Sequence, residues 1–252
     1  VTHLRYSTLK VARIKVANIT TIMTELSMLQ CARLLQLCSA NLPVGGFSFS
    51  QGLEQAVERG WVTTSDALEN WVAVLLEGSV ANADVPLLMQ QFRAIDAHDQ
   101  TLFLDTDDWI AATRESEEIL LAEQAMGKAL RRLLRNLVNK EDSLAAHWVN
   151  QLNAHCFISQ FALASHVFGL SLDACLSGYV WTLIDNQVAA GTKLIPLGQT
   201  DGQNLLFRLT TKITPCIESA KHVQQDDIGQ SMPSLAMASA WHEQQYSRLF
   251  RS

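Results

Sequence analysis

Residues 172–188 read LDACLSGYVWTLIDNQV, and this stretch decides the fold. Its large apolar residues recur every three or four positions, at Leu172, Leu176, Val180, Leu183, Ile184 and Val188. That spacing places them on one face of an α-helix. Residues 68–76 and 119–137 show the same period, and no segment alternates apolar and polar residues as a half-buried strand does. The sequence therefore predicts an all-α fold.

Helix-breaking residues divide the chain into about nine or ten helices joined by short connections. The predicted breaks fall at 43–46, at Gly60, near Asp84 to Pro86, at 139–143, at Gly169 and at 196–202. At the third of these, Asp84 as N-cap and Pro86 in the first turn are typical of a helix start. No low-complexity linker interrupts the chain, so we expect a single globular helical domain over residues 23–224.

The two ends of the chain differ from this domain. Residues 1–22 hold four basic residues and no acidic one, so we expect a disordered extension or a mis-assigned start, with translation beginning at Met23. They lack the continuous apolar core and the small-residue cleavage site of a secretory signal. Residues 225–252 are polar, contain Pro233 and end in aromatic and basic residues. This composition predicts a C-terminal tail that becomes ordered when it binds a partner.

The composition excludes several classes of protein. Only 17% of the residues are charged, 48% are hydrophobic and the formal net charge is −6. A general nucleic-acid binder needs a basic footprint, which this chain lacks. No run of about 18 or more uncharged apolar residues predicts a membrane span. The low charge indicates apolar surface that a partner covers.

Motifs for catalysis, cofactor binding and metal binding are missing from the sequence. We find no HExxH, GxxxxGK[ST] or GxSxG pattern, and the five cysteines show no CxxC spacing. We therefore predict a cytoplasmic protein with reduced thiols that is not an enzyme and carries no cofactor or metal site. One alternative stays open, a helical metal-binding protein that uses His155, Cys156 or His166. Adjacent helix residues such as His155 and Cys156, however, point about 100° apart.

Two internal segments contain glycine and polar residues that a helix core does not need. The first follows the first predicted helix, where glycines permit a tight bend. There we expect dimer or turn packing by Pro43, Gly45, Gly46, Phe47 and Phe49. The second is residues 193–199, in which Lys193 is either a snorkelling side chain at a helix end or a cation at an interface.

The C-terminal residues are of the types that dominate protein–protein contacts. They include Tyr246, Arg248, Leu249, Phe250 and Arg251. Tyr and Arg are enriched at binding hot spots, and a solvated tail has little use for large apolar side chains. We predict that this end of the chain binds a partner protein.

Four groups of residues, in the same order along the chain, resemble the UreF family of urease accessory proteins. They are residues 34–54 with LPVGGFS at 42–48, residues 114–127 with RESEE at 114–118, KLIPLGQ at 193–199 and QYSRLFRS at 245–252. The resemblance covers residues 29–252. Two positions depart from the family pattern: Phe49 stands where the family often has Tyr, and Gly191 lies inside the predicted helix that leads to Lys193.

The resemblance implies an all-α homodimer without a catalytic centre. It implies a chaperone for nickel insertion that forms a complex with UreD (also called UreH) and the GTPase UreG on apo-urease. By resemblance, residues Tyr246 to Arg251 bind UreD/UreH, and Lys193 and Gln199 are candidate contacts for UreG. An alternative function is regulation of the UreG GTPase cycle, as an activating or fidelity factor.

Overall fold

The computed structural model describes residues 26–138, 144–230 and 232–251. Within these ranges every regular element is helical, which confirms the predicted all-α class. The α-helices are α1 (Met28–Leu37), α2 (Leu53–Glu58), α3 (Ser65–Leu75), α4 (Val85–Asp96), α5 (Gln100–Ala112), α6 (Glu117–Leu137), α7 (Leu144–Gln151), α8 (Phe157–Val167), α9 (Leu172–Leu194), α10 (Gln199–Thr210), α11 (Ile213–Ala220) and α12 (Pro233–His242). The predictions on residues 1–22, on a start at Met23 and on a break at 139–143 lie outside the described residues.

A π-helical segment, Leu76–Asp84, joins α3 to α4, and short 3₁₀ turns occur at Gly46–Ser48 and Gln225–Asp227. Helices α3 and α4, joined by the π-helical segment, count as one rod. Without the six-residue α2, the described ranges then contain ten helices of eight or more residues. This agrees with the predicted number.

Polar residues fix the starts of five helices. The side-chain oxygen of each accepts the backbone N–H three residues later, at 2.9–3.3 Å. These N-caps are Ser27, Thr64, Asp99, Ser116 and Ser171. They satisfy donors that have no partner within the first helical turn. Helix starts are therefore encoded locally in the sequence.

The rod formed by α3, the π-helical segment and α4 passes straight through Pro86, so the predicted break near Asp84 to Pro86 is wrong. In an α-helix the residue at position 86 would donate its N–H to the carbonyl of Asn82, and proline has no N–H. Here the Asn82 carbonyl accepts the N–H of Gly229 instead, at 3.0 Å. The proline is tolerated because this acceptor finds a partner outside the helix.

The same rod is long and apolar enough to cross a membrane, judged by length and composition alone. It runs from Ser65 to Asp96, and its most apolar window has a mean hydropathy of 1.4. In the structure 67% of that window is buried inside the protein, and Leu68, Val72 and Leu88 have no exposed surface. The rod is a helix of the protein core.

Helices α8 and α9 form the centre of that core. Every residue from Phe157 to Ser165 is buried, which explains why α8 lacks a polar face. Helices α4, α6 and α7 pack on α8, while α1, α2, α10 and α11 pack on α9.

Gly127 permits the close approach of α6 to the segment that enters α8. A Cβ at this position would overlap the carbonyl oxygen of His155 and would lie 2.7 Å from the carbonyl carbon of Cys156. Both atoms belong to the backbone, so no side-chain rotation relieves the overlap. Only glycine fits between these two segments.

We expect Gly127→Ala to lower the free energy of unfolding by about 1–3 kcal/mol, because overpacking outweighs the gain of roughly 1 kcal/mol in helix propensity. Urea denaturation followed by circular dichroism measures this change. The control is Gln124→Ala, at an exposed position of the same helix, which should change stability by less than about 0.5 kcal/mol. A Gly127→Ala variant as stable as wild type would contradict the close packing.

Candidate functional site

The C-terminal tail, residues 243–251, packs against α2 and α6. The buried carboxylate of Glu54 on α2 accepts the backbone N–H of Leu249 at 2.6 Å and that of Phe250 at 2.9 Å. Hydrogen bonds to an ionised acceptor are stronger than those between neutral groups. The course of the tail is thus set by one carboxylate in the first third of the chain.

A second buried carboxylate, Glu118 in the first turn of α6, binds the end of the chain through two side chains. One of its oxygens accepts Nη1–H of Arg248 at 2.6 Å, and the other lies 2.7 Å from Nδ1 of His242. The other ring nitrogen of His242, Nε2, lies 3.1 Å from Glu54, so this fully buried imidazole bridges the two carboxylates. Buried charges are tolerated when they are paired in this way.

Three segments that the sequence singles out separately meet at the tail. The side chain of Phe250 is only 6% exposed. Nζ of Lys193 lies 5.4 Å from the centroid of that ring and 5.9 Å from the centroid of Phe47, within cation–π range. The backbone N–H of Arg251 donates to the carbonyl of Ser48 at 2.8 Å. The turn after α1, the end of α9 and the tail therefore form one continuous surface, which we call the tail surface.

The predicted tail residues divide into anchors and exposed groups. Phe250 is buried, and the partly exposed side chain of Arg248 pairs with Glu118, so both residues hold the tail in place. Tyr246 is fully exposed, Leu249 is 64% exposed and Arg251 is exposed. The residues available to a partner are therefore held at fixed positions by their neighbours.

Two glycines shape the turn after α1. Gly45 has a φ of +76°, a backbone conformation that residues with a side chain rarely adopt. A Cβ on Gly46 would lie 3.0 Å from a side-chain amide of α9. Phe49 is buried, whereas Phe47 is 56% exposed and Pro43 is exposed. The glycines and Phe49 thus pack the turn, and Phe47 belongs to the tail surface.

An exposed aromatic patch on α12 and the α2–α3 connection is not evident from the sequence. The rings of Trp61 and Trp241 lie 5.7 Å apart, and the guanidinium of Arg59 lies 3.9 Å from the centre of Trp241. Trp61 is 41% exposed and Met237 is 47% exposed. Trp and Arg are typical hot-spot residues, and the tail begins directly after this patch.

A buried ionic cluster is also not evident from the sequence. The guanidinium of Arg114 lies 2.7 Å from Asp84 and 3.0 Å from Glu123, and the hydroxyl of Tyr179 donates to Asp84 at 3.0 Å. Burial raises the pKa of Glu123 and that of Tyr179. Asp84 is therefore an ion-pair partner and not the helix cap that its position predicts. The cluster ties the α3–α4 rod to α6 and α9.

Within the described residues, no three side chains of His, Cys, Asp or Glu are grouped so that they could hold a metal ion. Burial raises the pKa of Cys38 to about 11 and those of Cys175 and Cys216 to about 12. It also raises the pKa of Cys156. These thiols stay protonated at neutral pH and are poor metal ligands. The metal-binding alternative therefore gains no supporting cluster in the described part of the chain.

The fold and the tail surface define an all-helical protein that presents aromatic and cationic side chains of the kind found in protein–protein contacts. A family model described as UreF matches residues 62–210. The chain is 40% identical over 220 residues to the urease accessory protein UreF of Marinomonas sp. (strain MWYL1), covering 87% of this chain and 93% of that relative. It is also 40% identical over 223 residues to the urease accessory protein UreF of Teredinibacter turnerae, covering 88% and 99%. The chain belongs to the UreF family of urease accessory proteins.

We expect Glu54→Ala to release the tail, because the N–H groups of Leu249 and Phe250 lose their charged acceptor. Hydrogen–deuterium exchange at these two amides should accelerate about tenfold or more. Trypsin should also cleave more readily after Arg248. The matched control is Glu58→Ala, which removes an exposed carboxylate from the same helix. Unchanged protection of both amides in Glu54→Ala would show that this carboxylate does not hold the tail.

Proposed function

We propose that this protein acts in the cytoplasm as a non-catalytic scaffold in urease maturation, bridging UreD/UreH and the GTPase UreG on apo-urease during nickel insertion. One observation carries the proposal. Tyr246 and Leu249 are exposed, while Arg248 and Phe250 beside them are anchored to the protein. An aromatic group that is already held in place loses less entropy on binding. The family membership supports the urease pathway.

The contact with UreD/UreH uses the tail, in this proposal. Tyr246 and Leu249 insert into the partner, while Arg248 and Phe250 keep the backbone in position for them. The Trp61–Trp241 patch extends the same contact along α12. Binding of the partner covers the exposed side chains of Tyr246 and Leu249.

The contact with UreG uses the neighbouring part of the tail surface, centred on Lys193. The ammonium group of Lys193 faces Phe47 and Phe250, and Gln199 is exposed at the start of α10. Because Phe250 also belongs to the tail, any displacement of the tail changes the surroundings of Lys193. The arrangement supports a scaffold in which the two partner contacts depend on each other.

Regulation of the UreG GTPase cycle is the second candidate. It is favoured by the exposed Arg251 of the tail surface, since an arginine inserted at a transferring phosphate accelerates GTP hydrolysis. Measuring GTP turnover by UreG with and without this protein separates regulation from scaffolding. A scaffold leaves the turnover rate unchanged.

We expect Tyr246→Ala/Leu249→Ala to abolish co-purification with UreD/UreH while helical content stays at the wild-type level, because neither side chain has an internal role. The control is Phe207→Ala, which removes an exposed ring, 78% accessible, from α10. Lys193→Ala should retain UreD/UreH but lose UreG and nickel incorporation into urease. Normal assembly of the full complex by both variants would refute the proposal.

The homodimer in this proposal forms through α1. An apolar groove of about 360 Å³ lies between α1, α9 and the start of α11, and all eight residues that line it are uncharged, Trp181 and Ile213 among them. Leu35, which lines the groove, is 68% exposed, and Met28 on the same helix is 93% exposed. A ridge and a groove on one uncharged surface can pair with a second copy about a twofold axis, without repulsion between like charges.

We expect Leu35→Glu to convert the dimer into a monomer, because a two-fold contact would bury the new carboxylate in both copies. Size-exclusion chromatography with light scattering measures the mass. Leu121→Glu is the control, since Leu121 is 55% exposed on α6, outside the groove. A monomeric wild type would exclude the dimer. A Leu35→Glu variant that stays dimeric would place the dimer contact elsewhere.

A further inference from the structure

A cleft of about 440 Å³ lies between the last turns of α6 and the connection from α7 to α8. Four of its eight lining residues are cationic and none is acidic. The lining residues are Lys128, Arg131, Arg132, Arg135, Asn136, Asn153, Ala154 and His155. We call this site the basic cleft. It stands out in a chain whose net charge is −6.

Two of the cations are held in place by the end of α7. Nε of Arg131 donates to the carbonyl of Val149 at 3.1 Å, and one of its terminal nitrogens donates to that of Leu152. A terminal nitrogen of Arg135 donates to the carbonyl of Asn150 at 3.2 Å. These bonds cap the unpaired carbonyls of α7 and fix both guanidinium groups.

The other two cations, Lys128 and Arg132, have no such structural role. Both side chains are exposed, and no ion pair in the described part of the chain includes either of them. Capping and the helix dipole account for Arg131 and Arg135 near the helix ends. Among the residues that the structure describes, the charges of Lys128 and Arg132 have no ion-pair partner.

The opposite wall of the basic cleft is rigid. The carboxylate of Asp107 accepts the backbone N–H of His155 at 2.8 Å, the N–H of Cys156 at 3.0 Å and the hydroxyl of Ser159 at 2.6 Å. Gly127 lets this wall lie directly against α6. Asp107 is buried, is committed to these donors and does not line the cleft, so this wall is held in place without a ligand.

Two of the cations in the basic cleft, Arg131 and Arg135, repel each other. Burial, and after it the repulsion from Arg135, lower the pKa of Arg131, and the attraction of Asp107 only partly offsets them. An anion placed beside both guanidinium groups would offset the repulsion between them. The remaining N–H groups of the arginines and the side-chain amides of Asn136 and Asn153 supply donors for such an anion.

We propose that the basic cleft binds a small molecule that carries two or more phosphate groups. From Lys128 to Arg135 the four cations follow about 10 Å of helix, so several of them can contact a ligand that carries more than one anionic group. The volume of about 440 Å³ lies in the roughly 300–1,000 Å³ range of small-molecule sites. A partner protein would instead cover a wider and flatter area.

This site is independent of the proposed scaffold contacts. Arg132 lies 14 residues beyond Glu118 on α6, which is roughly 20 Å along the helix. A ligand in the basic cleft therefore touches no part of the tail surface. Its binding can be tested on the full chain without any partner.

The test is calorimetric titration of the full chain with pyrophosphate, and separately with inorganic phosphate, at low and physiological ionic strength. We expect pyrophosphate to bind more tightly than phosphate, with affinity falling as salt rises. Lys128→Gln/Arg132→Gln should weaken pyrophosphate binding about tenfold or more, because charge-assisted hydrogen bonds are lost. Both side chains lie outside internal contacts, so the fold is kept, as circular dichroism would verify.

The matched control is Arg93→Gln/Lys221→Gln, which removes the same charge from other parts of the surface and should bind pyrophosphate like wild type. Equal weakening in both double variants would mean that net charge, and not the cleft, attracts the ligand. No binding of pyrophosphate, or saturable binding of a polyglutamate peptide in its place, would overturn the proposal. The second result would assign the cleft to an acidic protein segment.

Discussion

Two buried carboxylates, Glu54 and Glu118, remain in the protein interior only because the C-terminal segment supplies their hydrogen-bond donors. A carboxylate transferred from water without partners carries a penalty of several kcal/mol. Two backbone N–H groups, one imidazole and one guanidinium remove that penalty here. The end of the chain is thus part of the folded domain. The positions of its exposed side chains are set by a buried ionic network.

This constraint has a consequence for how the tail surface works. Phe250 is buried because the backbone on either side of it is tied down, by Glu54 and by the carbonyl of Ser48. Its ring then forms one side of the environment of Lys193. A change in the tail therefore reaches the end of α9 through direct contact, with no long chain of intermediates. Such short coupling suits a protein that joins two partners on adjacent surfaces.

The helices could be predicted from the sequence, because their period and their caps depend on neighbours within four positions. The stripe from Leu172 to Val188 falls in α9, and Gly60 and Gly169 mark true breaks. The tail residues could be singled out by chemical type alone. The prediction that Asp84 caps a helix is wrong because its partners, Arg114 and Tyr179, lie far along the chain. Glu54 and His242 also have partners far along the chain, so their roles can be recognised only in the folded structure.

Helix α6 shows how one local rule can serve two distant sites. Its first turn is acidic and its last turn is basic, the order that the helix dipole favours. Glu118 at one end pairs with Arg248 of the tail and hydrogen-bonds to His242 of α12, and the cations at the other end cap α7 and line the basic cleft. Between them, Glu123 and Gly127 fix the helix against the core. The charge gradient that stabilises the isolated helix therefore also places an acidic anchor and a cationic site at opposite ends of one rigid element.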